Sequence, residues 1–207
     1  EHWKATHNHH HHTYTNIVGM DDDVGYGVVR VTRDQPWHPP NSLNLVWNTM
    51  LAFAFQWGVG VQHLEIAPGT INSSGWDEQK KRIGQFLRKA RRQVGKDYVW
   101  FPLLSGPNWK TTMSANMTAN VIRNLWSNAV IFCGHFPDGA DKFTLEDLEN
   151  ETQAQWYLRQ MLGSANFTGS KLMHFMSGNL SYQIEHHLYP DMASNRLAEA
   201  SLRVREV

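Results

Sequence analysis

The sequence lacks several features that would assign a protein to a common class. Its single cysteine, Cys133, cannot form an internal disulfide framework. The 19 Lys and Arg residues balance the 19 Asp and Glu residues, so the charge gives no indication of a nucleic-acid partner. The chain has no Gly-rich dinucleotide motif, no haem motif and no cysteine set for an iron–sulfur cluster. Any redox chemistry would therefore need an external electron donor.

Long hydrophobic runs are also missing. No stretch reaches the roughly 18 uninterrupted apolar residues of a simple transmembrane helix, and the mean hydropathy is −0.50. Charged residues nevertheless make up only 18% of the chain, which is below the ~25% typical of soluble domains. Three aromatic-rich stretches with few charges, at 43–66, 97–109 and 119–136, argue against an ordinary soluble protein.

A basic segment, "DEQKKRIGQFLRKARRQVGKDY", separates the first two of these stretches. Ile83, Phe86 and Leu87 recur in it at helical spacing, which predicts an amphipathic helix over 77–96. A basic amphipathic helix lies either on a membrane surface or on the solvated face of a soluble protein. The segment alone leaves both interpretations open.

Histidine is the residue that the chain has in excess. There are 12 histidines, and five of them fall within His7–His12, a density that suggests a purification tag or a loose metal-binding tract. Within this run, however, His7 and His11 are spaced i, i+4 and His12 adjoins His11. On a helix, residues at this spacing share one face.

A second histidine cluster near the other end of the chain has the same form. Gln183, His186 and His187 are spaced i, i+3, i+4, and Pro190 would end their helix soon afterwards. Imidazole is a good ligand for Fe, Zn, Cu and Ni. Glu185 or a backbone carbonyl could fix the imidazole tautomers from behind. A tag would not predict this repeated pattern, so a shared metal centre is the stronger hypothesis.

The two clusters together resemble histidine boxes of the integral-membrane fatty acid desaturases. "QIEHHLYP" resembles the third box, Q-x-x-H-H. The first cluster resembles the second box, in which a Trp precedes the first His and an Asn follows the His pair; here these are Trp3 and Asn16. "GMDDDVGYG" resembles the G-x-D-x-D segment that comes next. These segments and "WSNAVIFCGHFPDGADKF" are most similar to acyl-CoA desaturases of the actinobacterial type.

The resemblance implies an all-α integral membrane protein with a histidine-rich cytoplasmic cap, in which residues 1–207 form one desaturase domain. It also implies a bacterial plasma membrane location and a centre of two iron ions. The expected iron ligands are His7, His11, His12, His135, His186 and His187. The expected supporting residues are Gln183, Asn128 and Asn16.

Two registers are possible in the first cluster. Many family members have H-x-x-H-H, which would select His7, His10 and His11. The spacing to Asn16 favours His7, His11 and His12, with His9 and His10 facing away. We therefore predict the second register.

One family feature is absent from these residues. A first box, H-x-x-x-H, normally lies upstream, and we expect the chain to be the interior of a longer protein. The remaining histidines, His2, His38, His63 and His174, are expected to be ordinary structural or polar residues. The acidic triplet 21–23 is expected to cap a turn, because it lacks the spacing of a calcium loop.

The implied activity is O2-dependent introduction of a cis double bond into a fatty acyl chain, either acyl-CoA or lipid-linked. The family draws electrons from a ferredoxin, cytochrome b5 or flavin reductase, and membrane lipids are further partners; nucleic acid is not. Two alternatives remain open: a histidine-rich diiron lipid hydroxylase, and a non-catalytic metal-binding protein.

Both histidine boxes must lie on one side of the membrane. If the basic helix is cytoplasmic, crossings at 97–113 and 116–135 with an outer turn near Lys110 satisfy this requirement, and 43–66 lies in the interface. In the rival arrangement, 43–66 is a crossing and the basic helix lies outside.

Overall fold

A computed structural model describes residues 6–21, 23–33, 35–62, 64 and 75–206, with the backbone alone at Thr6 and His9. Helices predominate in these ranges, which contain no β-strand. Only an isolated bridge pairs Ile17 with Phe143 there. The predicted all-α class is therefore confirmed.

Most of the helices are short. A π-helical turn, Thr6–His11, leads into the first α-helix, and a second one, Lys96–Trp100, joins two later helices. The α-helices in chain order are α1 (His12–Tyr14), α2 (Asn44–Phe53), α3 (Phe55–Gln62), α4 (Gly75–Gly95), α5 (Phe101–Leu104), α6 (Trp109–His135), α7 (Leu145–Leu148), α8 (Gln153–Leu162), α9 (Lys171–Met176), α10 (Gln183–Leu188) and α11 (Leu197–Val204). Short 3₁₀ turns lie at Gly25–Gly27, Pro39–Leu43, Gly106–Asn108 and Ser194–Arg196.

The chain divides into two compact units. The first contains the described residues up to Asn48 and those from Ser127 onward, and the second spans Thr49–Trp126. Both histidine clusters belong to the first unit. The interpretation of 1–207 as one desaturase domain stays a prediction.

The core of the first unit is unusually polar. Ile17 and Leu197 are fully buried, but so are His135, His187 and Gln160. A buried polar group lowers stability unless it is hydrogen-bonded or coordinated. The architecture of this unit is therefore organised around polar contacts.

Helix α8 clamps the segment that follows the first histidine cluster. The buried Arg159 guanidinium pairs with Glu151 at 2.6 and 2.9 Å. It also donates to the carbonyls of Thr13 and Thr15 at 3.0 and 3.2 Å. These four contacts satisfy a buried cation and fix the backbone beside the histidines.

In the second unit, the predicted basic helix is confirmed as α4, but it does not stop at Lys96. It continues through the second π-helical turn and α5 as far as Ser105. The predicted turn near Lys110 is wrong: the chain reverses at Gly106–Asn108, because Gly106 has a φ of +56° and Pro107 follows it. Lys110 already lies in α6.

Amide side chains join the helices of this unit. Asn116 donates to the carbonyl of Asp97 at 2.6 Å, and Asn120 donates to the Tyr98 hydroxyl at 2.8 Å. Asn124 donates to the carbonyl of Phe53, where α2 ends, at 2.8 Å. The described part of the stretch 43–66 thus contains two helices, and Asn124 of α6 hydrogen-bonds to the backbone where the first of them ends.

Among the residues that the structure describes, no helix combines the length and the apolar character that a membrane crossing requires.

Candidate metal centre

The first histidine cluster owes its geometry to the π-helical turn. Such a turn is wider than an α-helical one and bonds i to i+5, so positions i, i+4 and i+5 can lie on one side. The ring centroid of His7 lies 5.0 Å from that of His11 and 4.9 Å from that of His12. His10 is exposed, with its ring 5.7 Å from that of Tyr14. The arrangement agrees with the predicted register.

The second cluster and His135 complete the assembly. Helix α10 presents His186 and His187 in its last turn, and His135 is the final residue of α6. The ring of His187 lies 4.6 Å from that of His12 and 4.9 Å from those of His11 and His135. Histidines from three distant parts of the chain therefore meet.

The six rings form two groups of three. The outer triad consists of His7, His12 and His186, and the inner triad consists of His11, His135 and His187. Within each triad, each ring offers one nitrogen, and these three nitrogens all lie within 4.8 Å of one another. All three inner residues are buried, whereas His7 and His186 of the outer triad are partly exposed. The predicted ligand residues are thus brought together, and their role as ligands stays a prediction.

Several buried ring nitrogens have no hydrogen-bond partner in the described part of the chain. They are Nε2 of His11, both nitrogens of His12, Nδ1 of His135 and Nε2 of His187. A buried polar atom without a partner costs about 1–3 kcal/mol. Buried ring nitrogens from three parts of the chain are the kind of donor set that a metal ion binds.

The opposite nitrogens of two inner rings are held by other side chains. Nδ1 of His11 lies 2.9 and 3.0 Å from the carboxylate oxygens of Asp21. Nδ1 of His187 lies 3.1 Å from Oε1 of Gln160 and 3.2 Å from the hydroxyl of Thr15. In metal sites, such contacts orient the ring and leave the other nitrogen for the metal.

The acidic triplet has a larger role than the predicted one. Asp21 does cap the turn, since it accepts from the backbone N–H of Asn16 and Asp23 at 2.8 and 2.9 Å. It also orients His11. The Asp23 carboxylate lies 3.5 Å from Nδ1 of His7 and could itself bind a cation together with His7 and His11. The signal in the sequence was a run of three acidic residues, 21–23, shortly after the histidine run.

The predicted supporting residues occupy different positions. Gln183 contacts His135, at 3.0 Å between their Nε2 atoms, whereas the sequence had suggested that it stacks with His187. The contact needs Gly134, because a Cβ there would lie 2.9 Å from Cγ of Gln183. Asn128 is buried, and its Nδ2 has no partner among the described residues.

Asn16 supports the centre through its backbone. Its side chain donates to the carbonyls of Gly163 and of Asp141, the latter at 3.0 Å. Its backbone N–H binds Asp21, as described above. It adopts the left-handed region with a φ of +58°, which asparagine tolerates better than most residues.

Other polar residues lie away from the rings. Glu185, suggested to fix an imidazole tautomer, instead accepts from Asn166 at 2.8 Å. His174 contacts the Ser181 hydroxyl at 2.6 Å and stacks on Tyr182. His38 is exposed and starts a 3₁₀ turn. These positions agree with the expected structural roles of the two histidines. Trp3, His2 and His63 lie outside the described residues, as does the side chain of His9.

Burial and mutual repulsion keep most of the cluster neutral. Burial, followed by the neighbouring His186, lowers the pKa of His12 to about 2. Burial and His7 lower the pKa of His186 to about 4. At His11, burial lowers the pKa, but Asp21 and Asp23 outweigh it and raise the value to about 9. Neutral rings are the form that binds a metal.

Comparison with known proteins is consistent with this geometry. The family model for fatty acid desaturases matches residues 1–207. The chain is 61% identical over its whole length to NADPH-dependent stearoyl-CoA 9-desaturase of Mycobacterium tuberculosis, covering 49% of that protein. It is 24% identical to sn-1 linoleoyl-lipid 6-desaturase of Synechocystis, over 92% of this chain and 54% of that protein.

The chain is also 24% identical to Delta(5) fatty acid desaturase fat-4 of Caenorhabditis elegans, over 99% of this chain and 46% of that protein. It therefore spans about half the length of the curated relatives that it matches. No solved structure matches it.

The register of the first cluster can be tested by paired substitutions. Replacing His9 by Phe and His10 by Val should leave the metal content of the purified protein nearly unchanged, because the exposed His10 ring does not face the cluster. The matched control, His11→Phe with His12→Val, should remove most of the metal. Metal analysis by mass spectrometry gives the answer, and loss of metal from the first variant would favour the other register.

The stability of the metal-free protein should depend on pH in two opposite ways. The folded chain keeps His12 and His186 neutral below pH 6.5, where the unfolded chain takes up protons. Stability should therefore fall on acidification from pH 6.5 towards about 4, by up to about 1.4 kcal/mol per pH unit for each proton. The raised pKa of His11 adds stability below pH 6.5 that is lost as the pH rises through about 9.

Urea unfolding of the metal-free protein across this range would measure both effects. The variant His12→Phe should show a shallower decline on the acid side than the unmodified chain. A free energy of unfolding that increases as the pH is lowered from 6.5 to 5 would contradict this prediction.

Proposed function

Because the chain belongs to the fatty acid desaturase family, we propose that it carries the metal centre of a membrane-bound, O2-dependent fatty acyl desaturase. The observation that supports this best is the convergence of the two histidine clusters and His135 into two triads. We assign one iron ion to the outer triad and one to the inner triad. The activity concerns the whole protein, since relatives are about twice as long.

The donor set fits this assignment. Both clusters contain buried ring nitrogens without a partner among the described residues, and imidazole is a good ligand for iron. The bound iron ions would supply the activation of O2 and the removal of hydrogen from unactivated carbon, which acid–base side chains cannot perform. The protein buries all three inner rings, and Asp21 and Gln160 orient two of them.

The proposed substrate is a saturated fatty acyl-CoA. The mycobacterial relative is named for its action on stearoyl-CoA. In the overall reaction, two neighbouring methylene groups each lose one hydrogen and become a cis double bond. O2 takes up these hydrogens together with two protons and two electrons, and two water molecules form.

The electrons come from a separate donor, which we propose to be a flavin reductase linked to NADPH. The relative is named as NADPH-dependent, and the sequence contains no Gly-rich dinucleotide motif. A ferredoxin or cytochrome b5 would serve the same chemical purpose.

We further propose a location in the bacterial plasma membrane, with the histidines on the cytoplasmic side. Large apolar side chains are exposed around the turn between α5 and α6, namely Val99, Trp100, Leu103, Leu104 and Trp109. Lys96 lies over the ring of Phe101 and Lys110 over that of Trp109, at 5.2 and 5.5 Å. Aromatic rings and long cationic side chains are typical at the edge of a bilayer.

The reaction can be tested on the full-length protein with stearoyl-CoA, O2 and a reducing system. We expect a product lighter by two hydrogens, with a cis double bond, and no product from a His186→Ala, His187→Ala variant. Mass spectrometry separates this from hydroxylation, which would add one oxygen. An oxygenated product would point to a lipid hydroxylase. Metal binding that survives the double substitution would point to a non-catalytic histidine tract.

The membrane arrangement can be tested by accessibility. The exposed Cys133 is first replaced by Ser, and single cysteines are then introduced as Lys81→Cys or Lys110→Cys. A membrane-impermeant maleimide applied to intact cells should label position 110. It should label position 81 only after the membrane is permeabilised. Labelling of position 81 from outside would contradict the proposed topology.

A further inference from the structure

Gln160 is a side chain that contacts both histidine clusters. It lies in α8, and its side chain is fully buried. Its Oε1 is 3.1 Å from Nδ1 of His187, and its Nε2 donates to the backbone carbonyl of His12 at 3.3 Å. Nothing in the local sequence marks it, because it stands 27 residues from His187.

These contacts fix the orientation of the amide. The carbonyl of His12 can only accept, so it must face the amide nitrogen of Gln160. That leaves Oε1 facing His187, where it also accepts from the Thr15 hydroxyl at 2.8 Å. The opposite orientation would place two acceptors, Oε1 of Gln160 and the carbonyl oxygen of His12, against each other.

The orientation of the amide in turn fixes the proton on His187. Oε1 is an acceptor, so Nδ1 must carry the hydrogen, and the lone pair of the neutral ring is then on Nε2. The Thr15 hydroxyl, at 3.2 Å from Nδ1, cannot decide the tautomer alone, since a hydroxyl both donates and accepts. Nε2 of His187 is the buried nitrogen that has no partner among the described residues.

We propose that Gln160 is a positioning residue that holds the His187 proton on Nδ1 and so presents Nε2 to the metal of the inner triad. The inference rests on the proposed metal centre and adds to it the residue that orients one of the ligands. His11 and His187 are oriented by different chemistry, since a carboxylate faces His11 whereas a neutral amide faces His187. The amide orients its ring without adding a negative charge.

Two substitutions distinguish the role of the acceptor oxygen of Gln160 from that of the rest of its side chain. Gln160→Glu keeps an oxygen facing Nδ1 and loses the donor to His12, whereas Gln160→Met has similar size and keeps neither. Gln153→Met is the matched control: Gln153 is exposed on the same helix and makes no side-chain hydrogen bond to a described residue.

The measurement is anaerobic Fe²⁺ binding to the full-length protein by equilibrium dialysis, with melting temperatures recorded in parallel. Gln160→Met should weaken Fe²⁺ binding at one of the two sites about 10–100-fold, as is usual when a partner of a metal-binding histidine is lost. Gln160→Glu should restore most of that affinity, and Gln153→Met should match the unmodified protein. Equal losses in Gln160→Met and Gln160→Glu would overturn the proposal.

A second measurement does not depend on any variant folding. In the zinc-loaded protein labelled with ¹⁵N-histidine, NMR should show hydrogen on Nδ1 of His187 and metal on Nε2. The reverse assignment would overturn the inference about Gln160 and leave the proposed function standing. An unmodified protein that binds no iron would overturn the proposed metal centre, and the inference with it.

Discussion

The structure of the first unit depends on one physical constraint: several imidazole nitrogens are buried close together without a hydrogen-bond partner. In the described part of the chain, His11, His12, His135 and His187 each have such an atom. Leaving them unsatisfied would cost about 1–3 kcal/mol each, and protonating them would place like charges about 5 Å apart. Metal coordination removes both problems at once, because it uses the lone pair and requires the neutral ring.

The rest of the unit holds these rings in place against their mutual repulsion. Arg159 anchors the backbone after the first cluster, Asp21 and Gln160 orient one ring each, and Gln183 reaches His135 past a glycine. Each of these side chains is buried and polar, which explains why the core contains so little hydrocarbon. The inner triad is buried, whereas the outer triad is more open at His7 and His186.

The sequence identified the clustered histidines better than the residues that hold them in place. Spacing alone showed that His11, His12, His186 and His187 belong to helical clusters of one form, and family resemblance added His135. Gln160, Thr15 and Arg159 could not be found this way, because their contacts span more than a hundred residues and follow no helical period. Asp21 could be found as a turn cap but not as the partner of His11.

Prediction from the sequence was limited in the same way in the second unit. The basic helix was predictable from its periodicity, but the position of the following turn was misplaced, although Gly106 and Pro107 mark it. Glu185 was expected to support the histidines, which it directly precedes in sequence, yet alternate helix positions point in different directions and it reaches Asn166. Adjacency along a helix is a poor guide to contact, whereas spacing of three or four residues is a good one.

The most direct test of the central claim is a metal-loaded structure of the full-length protein with anomalous scattering recorded at the iron edge. The account predicts two iron peaks, one within reach of His7, His12 and His186 and the other within reach of His11, His135 and His187. A single peak bound only by the run from His7 to His12, or iron with no contact to His186 and His187, would contradict it.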